Sequence, residues 1–233
     1  MNHDASLSAP PRRTRGIVLL SLAVLGTAGA AFLLRRPLMM SAPVCLSGRW
    51  HGCFDTFNGV VFMTLAALPP AALVVWALAR VRRAAGGRAS AWRMSLAEVG
   101  MVHGTLPWIW MTMMPGAGAG IVPGRVSLVP LRDLVTMGPI GIIGNLLVFA
   151  ALGFFAPIRF AVLASVPRIL LLGAGCSVLV EVAQYVLWLD RVSSVDDVLV
   201  NAAGAALAAL ASRRWWRTAA PSDRPRPALA PTG

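Results

Sequence analysis

The chain has 233 residues, 57% of them hydrophobic and 13% charged, with a mean hydropathy of +0.71. A water-soluble surface cannot be built from that balance, so the composition excludes a soluble globular domain and specifies an integral membrane protein. All 21 basic residues are arginines, set against nine acids; they flank the apolar segments, so the net charge of +12 points to membrane lipids as partners and needs no nucleic acid.

Residues 1–16 are polar, carry Pro10, Pro11 and three arginines, and read as a cytoplasmic tail. Six apolar stretches follow, at residues 17–34, 58–79, 95–114, 137–157, 168–189 and 197–212. At about 1.5 Å per residue most can cross a hydrocarbon core of about 30 Å, although the last is short and rich in alanine. The expected fold is therefore all-α, a polytopic transmembrane bundle of about six spans. The first stretch, with Arg12, Arg13 and Arg15 before it and Ala28, Gly29 and Ala30 within it, also has the pattern of a cleavable signal peptide. Both readings leave the later helices in the same orientation.

The N-terminal transmembrane region, residues 17–124, contains an expected outer loop at residues 36–57. There Cys45 and Cys53 stand eight apart and bracket Gly48, a spacing that allows a loop-closing disulfide in an oxidising compartment or two free thiols. Only His51 is near enough in sequence to join them, too little for a metal site. Residues 115–136 are punctuated by Gly116, Gly118, Gly120, Pro123, Gly124 and Pro130, too often for a continuous helix, and read as a second outer loop. Residues 213–233 form the C-terminal tail, which opens on Trp215 and Trp216, an interfacial anchor. With both termini cytoplasmic, fifteen arginines fall inside and six outside, the bias expected of cytoplasmic loops.

Polar side chains interrupt the last spans. Glu181 and Gln184 are three apart and share a helix face, and Asp197, Asn201 and Gly204 step by four and three along the next. An ionisable group in the hydrocarbon costs at least about 2.5–3.5 kcal/mol, so it persists where it is paired, protonated or beside water. Glu181 and Asn145 each lie about 12 Å below the outer boundary, and Asn201 about 6 Å, so the groups can meet in one pocket. Arg191, Asp196 and Asp197 would rim it, with Arg191 paired to one of the aspartates. Each feature also has a structural reading. Asp196 and Asp197 suit a helix N-terminus after Ser193 and Ser194, and the amides suit interhelical hydrogen bonds. Glu98 and His103, five apart, share no face and read as structural; Trp108, Trp110, Met111, Met113 and Met114 read as packing.

From residue 144 onward the chain resembles the VanZ-like family of bacterial membrane proteins. The resemblance rests on Gly144, Asn145, Phe149 and Gly153, then the E-x-x-Q of Glu181 and Gln184, then the run from Arg191 through Asp196, Asp197 and Asn201 to Gly204. A shorter piece, Arg125 to Leu131, is similar to the family's preceding loop, so the VanZ-like domain is expected at residues 125–212. The chain departs from the family pattern at Ser127, Leu131, Ala151 and Ala208. The resemblance implies a multi-pass protein of the bacterial cell membrane, linked in the founding member to low-level teicoplanin resistance, and it implies no established reaction.

Three functions fit these residues. The pocket could bind an amphiphile or lipid-linked envelope ligand through Glu181, Gln184, Arg191, Asp196, Asp197, Asn201 and Asn145. It could be an intramembrane enzyme with Glu181 or Asp197 as base and Arg191 orienting an anion. It could be a small proton-coupled transporter titrating at Glu181. Neither H-E-x-x-H nor G-x-S-x-G occurs, and no cofactor or metal is expected.

Overall fold

The computed structural model describes residues 12–48 and 51–216. Most of both expected tails, including Pro10, Pro11, Arg217, Arg224 and Arg226, lies outside the described residues. Two compact units result, Met1–Met63 and Thr64–Gly233.

The first unit contains α1 (Arg12–Arg36), a π-helical turn over Pro37–Ser41, and α2 (Ala42–Leu46). Pro37 has no N–H to continue the ladder of α1, which is the usual cause of such a local rewinding. The expected loop at residues 36–57 is thus helical through Leu46. Its remainder is bridged by a disulfide between Cys45 and Cys53, and Cys53 is fully buried. The Gly52 amide donates to Asp55, which holds that exposed carboxyl below its usual range. Thr56 Oγ1 accepts from the Gly59 amide at 3.0 Å to start α3 (Phe57–Ala66). Gly59 is required there, because a Cβ would stand 2.3 Å from the Gly52 carbonyl oxygen.

The second unit holds α4 (Leu68–Gly86), α5 (Arg88–Thr112), α6 (Gly138–Val148), α7 (Ala150–Arg159), α8 (Val166–Val186) and α9 (Val195–Ser212). Among the described residues four segments are long and apolar enough to cross a membrane: Phe57–Arg83, Gly138–Arg159, Val166–Val186 and Val195–Trp215. Helix α5 is equally long, but Arg88, Arg93, Glu98 and His103 dilute its apolar character.

Helix α9 is the hub, packed against α6, α7 and α8. Small residues allow it: a Cβ on Gly153 would lie 2.0 Å from the Ala205 carbonyl oxygen, and one on Gly204 would lie 2.0 Å from that of Leu146. Val148, Phe149, Ile169, Val180, Ala205 and Ala209 fill the core around these crossings. At the end of the unit that carries Trp215, Glu98 accepts from Arg82 at 2.6 Å and from Arg159, clamping α4, α5 and α7 together. Glu98 is therefore a structural ion-pair centre.

At the opposite end the chain departs from a purely helical design. Strand β1 (Arg125–Ser127) pairs in parallel with β2 (Val192–Ser194), with Val126 opposite Ser193. The loop after α5 also donates from the Gly116 amide to Leu189 O and from the Gly120 amide to Trp188 O, both at 2.9 Å. It is thereby drawn down over the ends of α8 and α9.

Candidate functional site

Under this loop lies a recess of about 340 Å³ lined by Thr112, Arg125, Asn145, Val180, Glu181, Gln184, Asp190, Arg191, Val192, Asp197 and Asn201. The geometry thus brings six of the seven sequence-predicted residues to one place, from α6, α8, α9 and the turn between α8 and β2.

Helix α8 supplies Glu181 and Gln184, buried one turn apart. One oxygen of Glu181 accepts from the Ser194 amide at 3.0 Å, and its backbone carbonyl accepts from the Ser193 hydroxyl at 2.8 Å. Gln184 donates from Nε2 to the Thr112 carbonyl at 2.9 Å, which ties α8 to the last turn of α5. Helix α9 supplies Asp197, whose Oδ1 accepts from Asn145 Nδ2 of α6 at 2.5 Å, and Asn201, whose Nδ2 donates to Ser177 Oγ of α8 at 2.8 Å. Asn201 Oδ1, by contrast, is buried and has no partner among the described residues. A buried acceptor left unmatched costs about 1–3 kcal/mol.

Asp196 does not line the recess, which corrects its expected place on the rim. Its carboxylate, 1% exposed, accepts from the backbone amides of Leu131 at 2.5 Å, Asp133 at 2.8 Å and Leu134 at 3.0 Å. Consecutive residues point about 100° apart on a helix, so Asp196 turns to the loop while Asp197 turns to Asn145. Asp196 thus anchors the loop and has no acceptor directed at a ligand. Leu131, held at φ 66, owes its left-handed backbone to this anchorage.

The expected pairing of Arg191 with Asp196 or Asp197 is also replaced. Arg191 Nε donates to the Met114 carbonyl at 3.2 Å, and among the described residues its terminal nitrogens make no hydrogen bond. The ion pair at this rim is instead Arg125 with Asp190, at 3.1 Å. Asp190 Oδ2 also accepts from the Gly118 amide at 2.9 Å. Sequence reasoning did not assign Arg125 or Asp190 to the site. The available signal was the repeated Arg-Val-Ser of residues 125–127 and 191–193, which the parallel pairing brings side by side in a register offset by one.

Ser194 binds these parts together. Its amide serves Glu181, its hydroxyl donates to Asp133 at 2.6 Å, and the same oxygen caps α9 by accepting from the Asp196 amide at 3.2 Å. The Ser127 and Ser194 hydroxyls hold the Asp133 carboxyl below its usual range, with a smaller pull from Arg132.

A second cavity, about 640 Å³ and almost wholly apolar, runs between α5, α7 and α8 past Met101, Ile109, Met113, Phe149, Leu152 and Leu179. Val180 lines both cavities. Among the described residues no group of three or more His, Cys, Asp or Glu side chains could hold a metal ion.

No curated protein and no solved structure matches the chain. The VanZ/LLP1 family model matches residues 101–216, beginning within α5 and ending at Trp216, and so takes in α6 to α9, the pinned loop and every residue of the recess. Residues 101–216 are thus a VanZ-like domain.

Proposed function

We propose that the protein is a VanZ-like component of the bacterial cell envelope, with six spans and both termini in the cytoplasm, whose polar recess binds the headgroup of an amphiphile. By that binding it contributes to tolerance of teicoplanin-type lipoglycopeptides. The observation that carries the reading is the recess itself: polar groups from three helices and a pinned loop converge in an otherwise apolar bundle. Polar groups at membrane depth are costly, so their convergence on one wet opening favours a ligand over incidental packing. The excess of arginines in the expected inner segments supports an orientation with the recess outward. The apolar cavity beyond Val180 offers a place for a chain attached to that headgroup.

The test is a deletion strain complemented with wild type, Glu181→Ala or Arg191→Ala, all checked for equal membrane levels. Teicoplanin susceptibility is scored beside lipid extracts. Binding predicts that wild type alone restores tolerance while all extracts stay the same. A lipid converted only by wild type would replace this reading with an intramembrane enzyme using Glu181 or Asp197, and pH-driven flux in proteoliposomes that needs Glu181 would replace it with a transporter. Equal tolerance in every strain would refute the link to lipoglycopeptides.

A further inference from the structure

The recess has a charge pattern that narrows its ligand. Arg125 and Asp190 neutralise each other at the rim, leaving Arg191, among the described residues, as the one cation facing the two carboxyl groups of Glu181 and Asp197. A ligand bearing only negative charge would meet two acidic side chains beside that single guanidinium. The Ser194 amide occupies one oxygen of Glu181, and Asn145 one oxygen of Asp197. A carboxyl group has more acceptor positions than the one each of these bonds uses, so both keep acceptor capacity to spare. Asn201 adds an amide oxygen that is independent of the acids: the residue is 3% exposed, its Nδ2 is spent on Ser177, and its Oδ1 is unmatched among the described residues. Three acceptors from three residues thus line one small space.

Resting on the headgroup reading above, we infer that this space is a primary-ammonium site, with Arg191 beside it to take a phosphate, and that the ligand is a zwitterion of the phosphoethanolamine type. An alkylammonium has three N–H donors, which match the oxygens of Glu181, Asp197 and Asn201. A quaternary ammonium has none and is recognised instead by aromatic cages, and among the described residues no aromatic side chain lines the recess. The terminal nitrogens of Arg191 are free for a phosphate among the described residues, and a guanidinium holds phosphate in a bidentate fork. The apolar cavity that shares Val180 places an acyl chain next to that headgroup, so the source favoured is a lipid over a soluble amine.

The full chain, purified in nanodiscs of phosphatidylglycerol, is titrated with phosphatidylethanolamine, phosphatidylcholine and soluble O-phosphoethanolamine, and binding is read by native mass spectrometry. Phosphatidylethanolamine is expected to bind at least tenfold more tightly than phosphatidylcholine, and Asn201→Leu to erase that preference. Ser212→Ala, which removes a buried hydroxyl beside Trp216 at the other end of α9 and touches no recess residue, should keep it and so controls for folding. Equal binding of the ethanolamine and choline lipids overturns the ammonium site while leaving the headgroup reading intact. Preference for the phosphatidylglycerol background over both overturns it in favour of a plain anion site. Soluble O-phosphoethanolamine binding as tightly as the lipid supports the ammonium site and overturns the amphiphile. Binding of none of the three overturns both.

Discussion

Asp196 gives the sharpest quantitative test of how the recess is built. Its carboxylate gathers three backbone amides from the loop, and a hydrogen bond to an ionised acceptor contributes about 1.5–3 kcal/mol net. Taking the low end for each, Asp196→Ala forfeits about 4.5 kcal/mol. Letting Leu131 relax from φ 66 returns about 1 kcal/mol, so the expected loss is about 3.5 kcal/mol. Asp196→Asn is a milder lesion with a defined geometry. Its amide oxygen can keep the Asp133 and Leu134 bonds, but its NH₂ then faces the Leu131 N–H, so about 2 kcal/mol is lost. The assay is unfolding by SDS titration in mixed micelles, together with tryptic cleavage at Arg125 and Arg132 in the same loop. Stability should fall from wild type to Asn to Ala, with loop cleavage rising in that order. If Asn is as damaging as Ala, or if both match wild type, the carboxylate does not hold the loop as described.

The helix crossings make a paired prediction: Gly153→Ala should destabilise by about 1–3 kcal/mol, because its Cβ meets a backbone oxygen that cannot step aside. Gly144→Ala, with nothing within 4 Å of the added methyl, should be neutral or slightly stabilising in the same unfolding assay. Glu98→Gln leaves Arg82 and Arg159 facing each other without their shared carboxylate; since these side chains are 26–34% exposed, the full buried-pair cost is discounted to about 2 kcal/mol of lost stability. Asp133 makes a pH prediction. Its carboxyl lies below the ordinary aspartate value of about 3.9, so its contribution to loop order is complete above that value and fades as pH falls through its lowered pKa. Hydrogen-exchange protection at residues 127–137, taken relative to the intrinsic rate at each pH, should therefore fall below about pH 4 in wild type, and Asp133→Asn should lose that step.

What the sequence made legible was the part governed by helical periodicity. Glu181 with Gln184, and Asp197 with Asn201, face the recess because three- and four-residue steps repeat on a helix whatever surrounds it. Asn145 joined them through its depth along α6. What stayed hidden depends on long-range pairing. Arg125 meets Asp190 because a loop returns across 65 residues and Trp188 and Asp190 adopt left-handed backbones, none of which local propensity encodes. Arg191 was expected to meet an aspartate but reaches the Met114 carbonyl, since the parallel pairing of β2 with β1 directs that segment. The small sheet escaped an all-helical expectation because three-residue strands are too short to show alternation.

The position of α9 bears on how the chain enters the bilayer. Its span has a mean hydropathy of 1.4, against 1.8 to 2.1 for the other three, and half of its most apolar window is enclosed by protein. Such a segment partitions weakly into lipid alone, so its insertion depends on a receptacle already formed by α6, α7 and α8. Insertion then follows chain order: the earlier helices insert on their own hydrophobicity, and α9 is recruited to them by glycine-mediated backbone contact.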